Sequence, residues 1–355
     1  MKSPTRIVIL YGCVAENAEP DELDVLIEAR HVTAALTTLG YDTVSLPLTL
    51  DLERAARRLK QLAPRAVFNL VESINGEDRF LHLAATLLDS LGIPYTGTGE
   101  SGMYLASNKT LAKRLMTRAG IATPEWCSAK TAEQQGTGFD PPYLVKSVWN
   151  NGSRDLQQPF DSEDCLRRHL AARGRSGLRD DIYVESYIEG REFNLSLVQN
   201  GTEVVVLPPA EMMFVGYPPG KARILNYESK WIPESFEYTH TVRRFDFGPQ
   251  DQELLERLSA IARRCWRVLD IGGYGRVDFR TDAHGMPLVL EVNPNPCLSP
   301  DAGLVAAASR AGWSYNELVR RIVKPALKQA AGTKPVPQTG SLPAAVAAGS
   351  EACAY

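Results

Sequence analysis

The residues best equipped for chemistry lie in two short runs, Gly275-Arg-Val-Asp-Phe-Arg280 and Pro287-Leu-Val-Leu-Glu-Val-Asn293, either side of His284-Gly285. Period-2 alternation makes both of them strands, with Arg276, Asp278 and Arg280 on one face of the first and Val277 and Phe279 on the other. On the second, Leu288, Leu290 and Val292 share one face, and Val289, Glu291 and Asn293 share the other. A two-residue turn at His284-Gly285 would set Asp278 opposite Glu291 and Arg276 opposite Asn293; a longer turn would shift that register. Facing carboxylates repel and weaken a sheet. A divalent cation between them removes the penalty, and two carboxylates with an amide suit magnesium, which completes its octahedron with phosphate oxygens and water. Without a cation, the same residues read as solvated charges on an open hairpin face.

Groups that suit anions stand elsewhere. Lys146 interrupts the apolar run Tyr143-Leu-Val-Lys-Ser-Val148 on the face of Leu144 and Val148, where its amine either reaches out to solvent or meets a buried anion. The small polar loop Trp149-Asn-Asn-Gly152-Ser153 that follows can present backbone N–H groups to phosphate. Lys109 falls in the first turn of a helix capped at Ser107-Asn108, where the macrodipole disfavours a cation by ~0.3–1 kcal/mol unless a phosphate lies nearby. Each lysine alone reads as a surface amine. Together with the hairpin carboxylates they describe an ATP–magnesium site.

The elements that must position these groups begin with alternating strands and helices. Strands are expected at Arg6–Leu10, Asp42–Leu46 and Ala66–Val71, with helices at Asp21–Leu39, Asp51–Leu62 and Phe80–Leu91, which points to a parallel sheet covered by helices. The Lys109 helix stops at Gly120 with Pro124 beyond; strands Tyr143–Val148 and Ile182–Ser186 flank a charged helix near Ser162–Arg173. Longer strands follow from Arg191, interrupted by the Pro/Gly-rich stretch Pro208–Gly220, in which Met212-Met213-Phe214 belong to an active-site lid or a tethered surface loop. Asp251–Asp270 is an amphipathic helix with Leu254, Leu258, Ile261, Cys265 and Val268 on one stripe. A last helix runs to about Lys328. Trp149, Trp231, Trp266 and Trp313 are expected in core or interdomain packing. The expected units are an N-terminal α/β domain at 1–105, a second at 106–184, a third at 185–330 carrying the hairpin, and an Ala/Gly/Pro/Ser-rich disordered tail at 331–355.

Composition narrows the function classes. The 355 residues suffice for two or three domains at roughly 100–200 residues each. With 39 basic and 42 acidic residues the net charge is −3, which argues against a bulk nucleic-acid or polybasic membrane binder. Six cysteines without a CxxC pair argue against a zinc knuckle, a redox motif or a secreted disulfide framework. No apolar run approaches the ~18 residues of a membrane span, and the start shows no signal-peptide core. A cytoplasmic enzyme is expected.

In order and spacing the motifs resemble the ATP-grasp superfamily, and within it are most similar to D-alanine–D-alanine ligase. The resemblance runs from about Val67 to Val323. It rests on Phe68-Asn-Leu-Val-Glu72, Asn75-Gly-Glu-Asp78, Gly92-Ile-Pro-Tyr-Thr-Gly97, Asn108-Lys-Thr110 and Leu144-Val-Lys146, followed by Val184-Glu185, Gly190-Arg-Glu192, Glu228-Ser-Lys230, Gly275-Arg-Val-Asp278 and Glu291-Val-Asn293. It implies three α+β domains, the first Rossmann-like, with ATP held between the other two. It further implies that Lys109, Lys146 and Lys230 contact phosphates, that Glu185 and the backbone near Ile188 hold the adenine, and that Glu192 holds the ribose. Asp278, Glu291 and Asn293 would ligate magnesium. Arg276 would stabilise the oxyanion, with Ser153 as a second catalytic candidate. A homodimer is a further implied partner, since the family is commonly dimeric.

The implied reaction is ADP-forming ligation: a carboxylate takes the γ-phosphate of ATP, and an amine then displaces phosphate to leave an amide. The departures fall in the substrate-binding parts. Asp24 stands where the family acid holds an ammonium, Glu72-Ser73 replaces a His-Gly, Gly152-Ser-Arg-Asp-Leu156 replaces a Gly-Ser-Ser-Val-Gly loop, Pro294-Asn-Pro-Cys297 replaces a Thr-x-Pro-Gly, and Ala302 replaces a carboxylate-gripping serine. The expected function is therefore an ATP-dependent carboxylate–amine ligase with specificity altered from D-alanine, acting on amino acids or peptides, with Asp24 and Glu72 in its substrate site. The alternatives are a genuine D-alanine–D-alanine ligase and a non-catalytic nucleotide-binding homologue.

Overall fold

The computed structural model describes residues 4–15, 17–149, 156, 158–174 and 181–332. Ser153, most of the loop around it, and the part of the expected tail beyond 332 lie outside the described residues.

The chain begins as the alternation predicts, with β1 (Arg6–Gly12), α1 (Pro20–Thr38), β2 (Asp42–Leu48), α2 (Leu52–Leu62), β3 (Ala66–Asn69) and α3 (His82–Ser90). The strands form a parallel sheet in the order β2-β1-β3. Alternation along β1 decides how it is covered. Ile7 and Ile9 enter one core with Val32 and Leu36 of α1, while Val8 and Leu10 enter another with Leu59 of α2 and Leu88 of α3. A capping box between Glu19 and Glu22 starts α1. Two helices follow, α4 (Glu100–Ser107), which the sequence reading does not include, and α5 (Lys109–Arg118). Asn108 ends the first and caps the second, its Oδ1 accepting from the Leu111 amide at 2.9 Å.

A second sheet is antiparallel, in the order β4-β6-β5, from β4 (Trp126–Ser128), β5 (Tyr143–Ser147) and β6 (Ile182–Ser186). The helices α6 (Ala129–Gln135), through Ala129 and Ala132, and α7 (Glu163–Gly174), through Leu166 and Leu170, cover one face and pack with Tyr143, Val145 and Val184. Leu144 and Lys146 point the other way.

The third sheet contains β7 (Glu192–Asn200), β8 (Glu203–Val206), β9 (Ala210–Phe214), β10 (Thr241–Arg244), β11 (Tyr274–Thr281) and β12 (Pro287–Asn293). It runs β10-β9-β7-β11-β12, with β8 beside β7. Around it lie α8 (Tyr227–Trp231), α9 (Phe236–His240), α10 (Gln252–Val268), α11 (Gly303–Arg310) and α12 (Tyr315–Gly332). Phe193, Leu195 and Leu197 of β7 pack with Val277 and Phe279 of β11 against Leu258, Ala262 and Cys265 of α10. The opposite face carries polar residues over most of its length, with Val198 and Tyr274 at one end packed into the core of the first sheet. In α12, Leu318, Val319, Ile322 and Val323 pack back onto the first sheet, so the end of the chain closes the core opened by its start. No helix among the described residues is long and apolar enough to cross a membrane.

Two local expectations are corrected. Met212-Met213-Phe214 form a paired strand, β9, rather than a lid or tethered loop. Glu211 anchors it: the carboxylate is buried and clasped by Arg191 and Arg244. The last helix also continues past Lys328 to Gly332.

The hairpin register is met by a different route from the one expected. Asp278 is opposite Glu291 and Arg276 opposite Asn293. The turn, however, spans 282–286, wrapped around Asp282 Oδ1, which accepts from the amides of His284 and Met286 at 2.8 Å, with Gly285 at φ +75°. The pairs next to the turn, Phe279 with Val289 and Arg280 with Leu288, are one residue off the expected register, and a bulge after Asp278 brings the pairs beyond it into that register. The bulge also changes the faces. Val289 and Val292 enter the core, while Leu290 and Glu291 both face the cleft, so the strict alternation read along this strand is broken.

Candidate active site

The polar face of the third sheet and the free face of the second enclose a cleft lined by five cations, Lys109, Lys146, Lys230, Arg276 and Arg280, and four carboxylates, Glu185, Glu192, Asp278 and Glu291. Lys146 meets the buried anion that its place in an apolar strand calls for: its Nζ is 2.6 Å from Glu185 Oε1. The other oxygen of Glu185 is 2.5 Å from Lys113 Nζ, a lysine of α5 with no solvent exposure. The sequence reading missed Lys113, and only its spacing four residues after Lys109 could have hinted that it shares that helix face. Burial lowers the Lys113 pKa, against the pull of Glu185; for Glu185, burial works upward, but Lys113 and Lys146 outweigh it and hold the carboxyl below its usual range.

Glu192 and Ile188 are joined by Arg280, whose face the hairpin pattern identified but whose partners it did not. Its guanidinium donates twice to Glu192 Oε2, at 2.9 and 2.6 Å, and once to the Ile188 carbonyl, at 2.7 Å, and it also reaches the Arg223 carbonyl. Gly190 lets the chain approach here, because a Cβ would lie 1.9 Å from the Thr281 carbonyl oxygen.

The hairpin carboxylates are compensated by cations. Arg276 donates from Nε and Nη2 to both oxygens of Asp278, at 2.8 and 2.9 Å, and Asn194 adds a bond at 2.8 Å. Lys109 Nζ is 3.4 Å from Glu291. Burial pushes Glu291 up, but Lys109, Lys230 and Arg276 prevail and bring it to about 2, so it stays ionised. Asn293 Oδ1 accepts from the Asn295 amide at 2.9 Å.

Beyond Arg276 opens a chamber of about 430 Å³. Asp24 and Glu72 both line it, as does Ala302. Asn295 brings its two sides together, donating to the Val71 carbonyl at 3.1 Å while Tyr274 donates to its Oδ1 at 2.7 Å. Both oxygens of Asp24 are engaged, by Cys297 Sγ at 2.9 Å and Ser299 Oγ at 2.8 Å. Glu72 makes no hydrogen bond or ion pair among the described residues. Burial first, then Asp24 and Asp78, raise its pKa to about 8. Glu28, one turn beyond Asp24, is 1% exposed; its Oε1 accepts from the Leu298 amide at 2.7 Å, and its Oε2 has no hydrogen-bond donor among the described residues. Trp231, expected in packing, instead lines this chamber with Arg243 and Met212.

A parallel-sheet domain followed by two α+β units that enclose a lysine–carboxylate cleft defines an ATP-grasp ligase, an enzyme that forms carbon–nitrogen bonds. The comparisons agree. Residues 115–324 match the family described as D-ala D-ala ligase C-terminus. A D-alanine–D-alanine ligase from a Synechococcus strain is 30% identical over 323 residues, covering 90% of this chain and 93% of that one. An uncharacterized protein of Sinorhizobium fredii, y4sG, is 31% identical over 83% of this chain and 86% of its own. The crystal structure of the Bacillus anthracis D-alanine–D-alanine ligase complexed with ATP superposes with a TM-score of 0.70 at 22% identity, covering 92% of this chain and 99% of that one. The chain belongs to the D-alanine–D-alanine ligase family.

Proposed function

We propose that this chain uses ATP and magnesium to join a carboxylate to an amine, releasing ADP and phosphate, with a substrate chamber altered from that of a D-alanine ligase. The observation that carries this reading is the position of Arg276, which lines both the lysine–carboxylate cleft and the acidic chamber, together with Lys230. A phosphate held in the first and a carboxylate held in the second would meet at its guanidinium.

Lys109, Lys146 and Lys230 hold phosphate oxygens. Glu185 and the amide of Ile188 face the adenine, and Glu192, whose bonds from Arg280 fall on Oε2, offers Oε1 to the ribose. The donor set suits magnesium, because Asp278 and Glu291 face each other with Asn293 beside them, and the charge that offsets them comes from Arg276 and Lys109. Once bound there, the ion would neutralise phosphate charge. Arg276 then takes the charge on the carbonyl oxygen as the amine attacks the acyl phosphate and phosphate leaves. Ser153 keeps its catalytic candidacy on the family pattern alone. The same reading divides the chain at 105/106 and 184/185, and places the enzyme in the cytoplasm, with two small-molecule substrates and a homodimeric assembly.

A second reading, D-alanine on both sides, is favoured by what the Synechococcus relative is called. Glu72 in the chamber and Ala302 at its rim favour altered specificity. Phosphate release from ATP and magnesium against a panel of D- and L-amino acids, dipeptides and simple amines, with mass spectrometry of the products, decides between them. D-alanyl-D-alanine as the main product would overturn the first reading. ATP binding with no ligated product from any well would count against both.

A further inference from the structure

Two buried donors on the wall of the chamber beyond Arg276 have nothing to bond. The Nε of Arg243 and the indole Nε1 of Trp231 are both shut off from solvent, and neither has an acceptor among the described residues. Both residues line the chamber, and neither lines the lysine–carboxylate cleft. Buried donors are nearly always paired, because an unpaired one has given up its bonds to water without replacement. Arg243 is poorly served elsewhere too. It stands opposite Met212 in the β9–β10 ladder, while Arg244 beside it turns to the other face and clasps Glu211. Its one hydrogen bond, from Nη1 to the Asp301 carbonyl, is 3.4 Å long, and it belongs to no ion pair among the described residues.

Positive charge accumulates at this spot. Burial, then the Arg276 guanidinium, lowers the Arg243 pKa, and the Asp301 carboxylate offsets only part of that. A Cβ on Gly303 would lie 3.7 Å from Arg243 Nη2, so the guanidinium sits against the first turn of α11, whose N-cap Ala302 makes no side-chain bond. A helix start carries a partial positive charge of its own.

We propose that Arg243 and Trp231 hold a carboxylate that the reaction does not consume, and that this carboxylate belongs to the amine substrate. The reacting carboxylate must lie at Arg276 and Lys230, which line both the cleft and the chamber. An anion at Arg243 and Trp231 is therefore a second one. With phosphate on the cleft side, the amine reaches the activated carbonyl from the chamber, and the rest of its molecule stays there. Arg243 and Trp231 are thus specificity-determining residues, which select an amino acid or peptide as the amine over an amine without an acid group. The inference rests on the ligase reading and adds what the amine must carry and which residues read it.

The test uses the full-length chain with ATP and magnesium, and mixes each amino acid of the panel, in both chiralities, with an equal amount of its own α-carboxamide. The carboxamide has no α-acid to activate, so it enters as the amine, and the mass-resolved ratio of dipeptide to dipeptide amide reads the preference. The expected ratio is at least about tenfold in favour of the dipeptide. Arg243→Gln should draw that ratio toward one, and Trp231→Phe, which keeps an aromatic ring but removes the N–H, should lower it by less. ADP binding, followed by thermal shift, should be unchanged in both, and Trp231→Phe stands alone should Arg243→Gln fail to fold. Dipeptide amide formed as readily as dipeptide, or a preference that survives Arg243→Gln, would overturn this inference alone. Simple amines joined only to aspartate or glutamate would place the anion on the acid substrate and also overturn it. No ligated product from any amine would overturn the ligase reading and this inference with it.

Discussion

Arg276 and Asp278, two residues apart on one strand, lie side by side, with Nε to Oδ1 at 2.8 Å and Nη2 to Oδ2 at 2.9 Å. The cation proposed for catalysis and a carboxylate proposed for the metal are therefore each other's partner. Asn194 of the neighbouring strand donates a further bond, at 2.8 Å, to the Oδ1 that Arg276 Nε also holds. This arrangement keeps a half-buried guanidinium and a buried carboxylate compatible until ligands divide them.

Arg276→Ala is expected to reduce amide formation by roughly 10²–10³-fold or more, the usual loss when a group facing the developing oxyanion is removed. ATP binding should survive, because Lys109, Lys146 and Glu192 are untouched. Product mass spectrometry beside a nucleotide titration checks both. Ligation at near-normal rates would remove the residue from its assigned role.

Lys113→Met should destabilise the chain by about 3 kcal/mol, since breaking a buried ion pair leaves its carboxylate short of a partner. Lys146 remains on Glu185, which keeps the loss at the low end of the usual range. Denaturant unfolding measures it. A double variant with Glu185→Gln should lose less than the two single effects combined.

Glu72 gives a pH dependence of unusual sign for a carboxyl. Its folded-state pKa, about 8, lies above the 4.5 of an ordinary glutamate, so the folded chain binds the extra proton. Stability should fall as pH rises through that window and level off above it. Affinity for a cationic substrate should move the opposite way, with KM falling toward pH 8 as the carboxylate forms. Glu72→Gln should flatten both profiles in thermal melts and initial-rate measurements.

Glu291→Gln should raise the magnesium concentration needed for half-maximal turnover by roughly ten- to a hundredfold, because Glu291 is the carboxylate that its cationic surroundings keep ionised. A magnesium titration at fixed ATP gives the shift. An unchanged requirement would move the ion away from the hairpin.

Much of this was legible in the residues. Alternation placed Arg276, Asp278 and Arg280 on one face of β11, and the structure keeps them there. The strand–helix order gave the parallel sheet, and the apolar stripe of α10 predicted its packing side. Local periodicity suffices for these because each follows from backbone geometry within a few residues. The facing of Asp278 and Glu291 was reached from a turn that is not the one present; a longer turn and a compensating bulge lead to the same pair. Bulges depend on what packs on both sides of a strand, which no window of sequence contains.

What only the tertiary structure decided is which charges meet. Lys113 and Glu185 are 72 positions apart yet form one buried cluster with Lys146. Glu28 comes from α1 and Glu72 from the loop after β3, and Asn295 ties the loop after β12, which carries Cys297, to the Val71 carbonyl. The sequence by itself determined most of the element types and the set of ionisable groups, though not helix α4 or strand β9. Their pairing, burial and protonation depended on long-range packing, because a charge takes its energy from everything within a few ångströms, however distant in the chain.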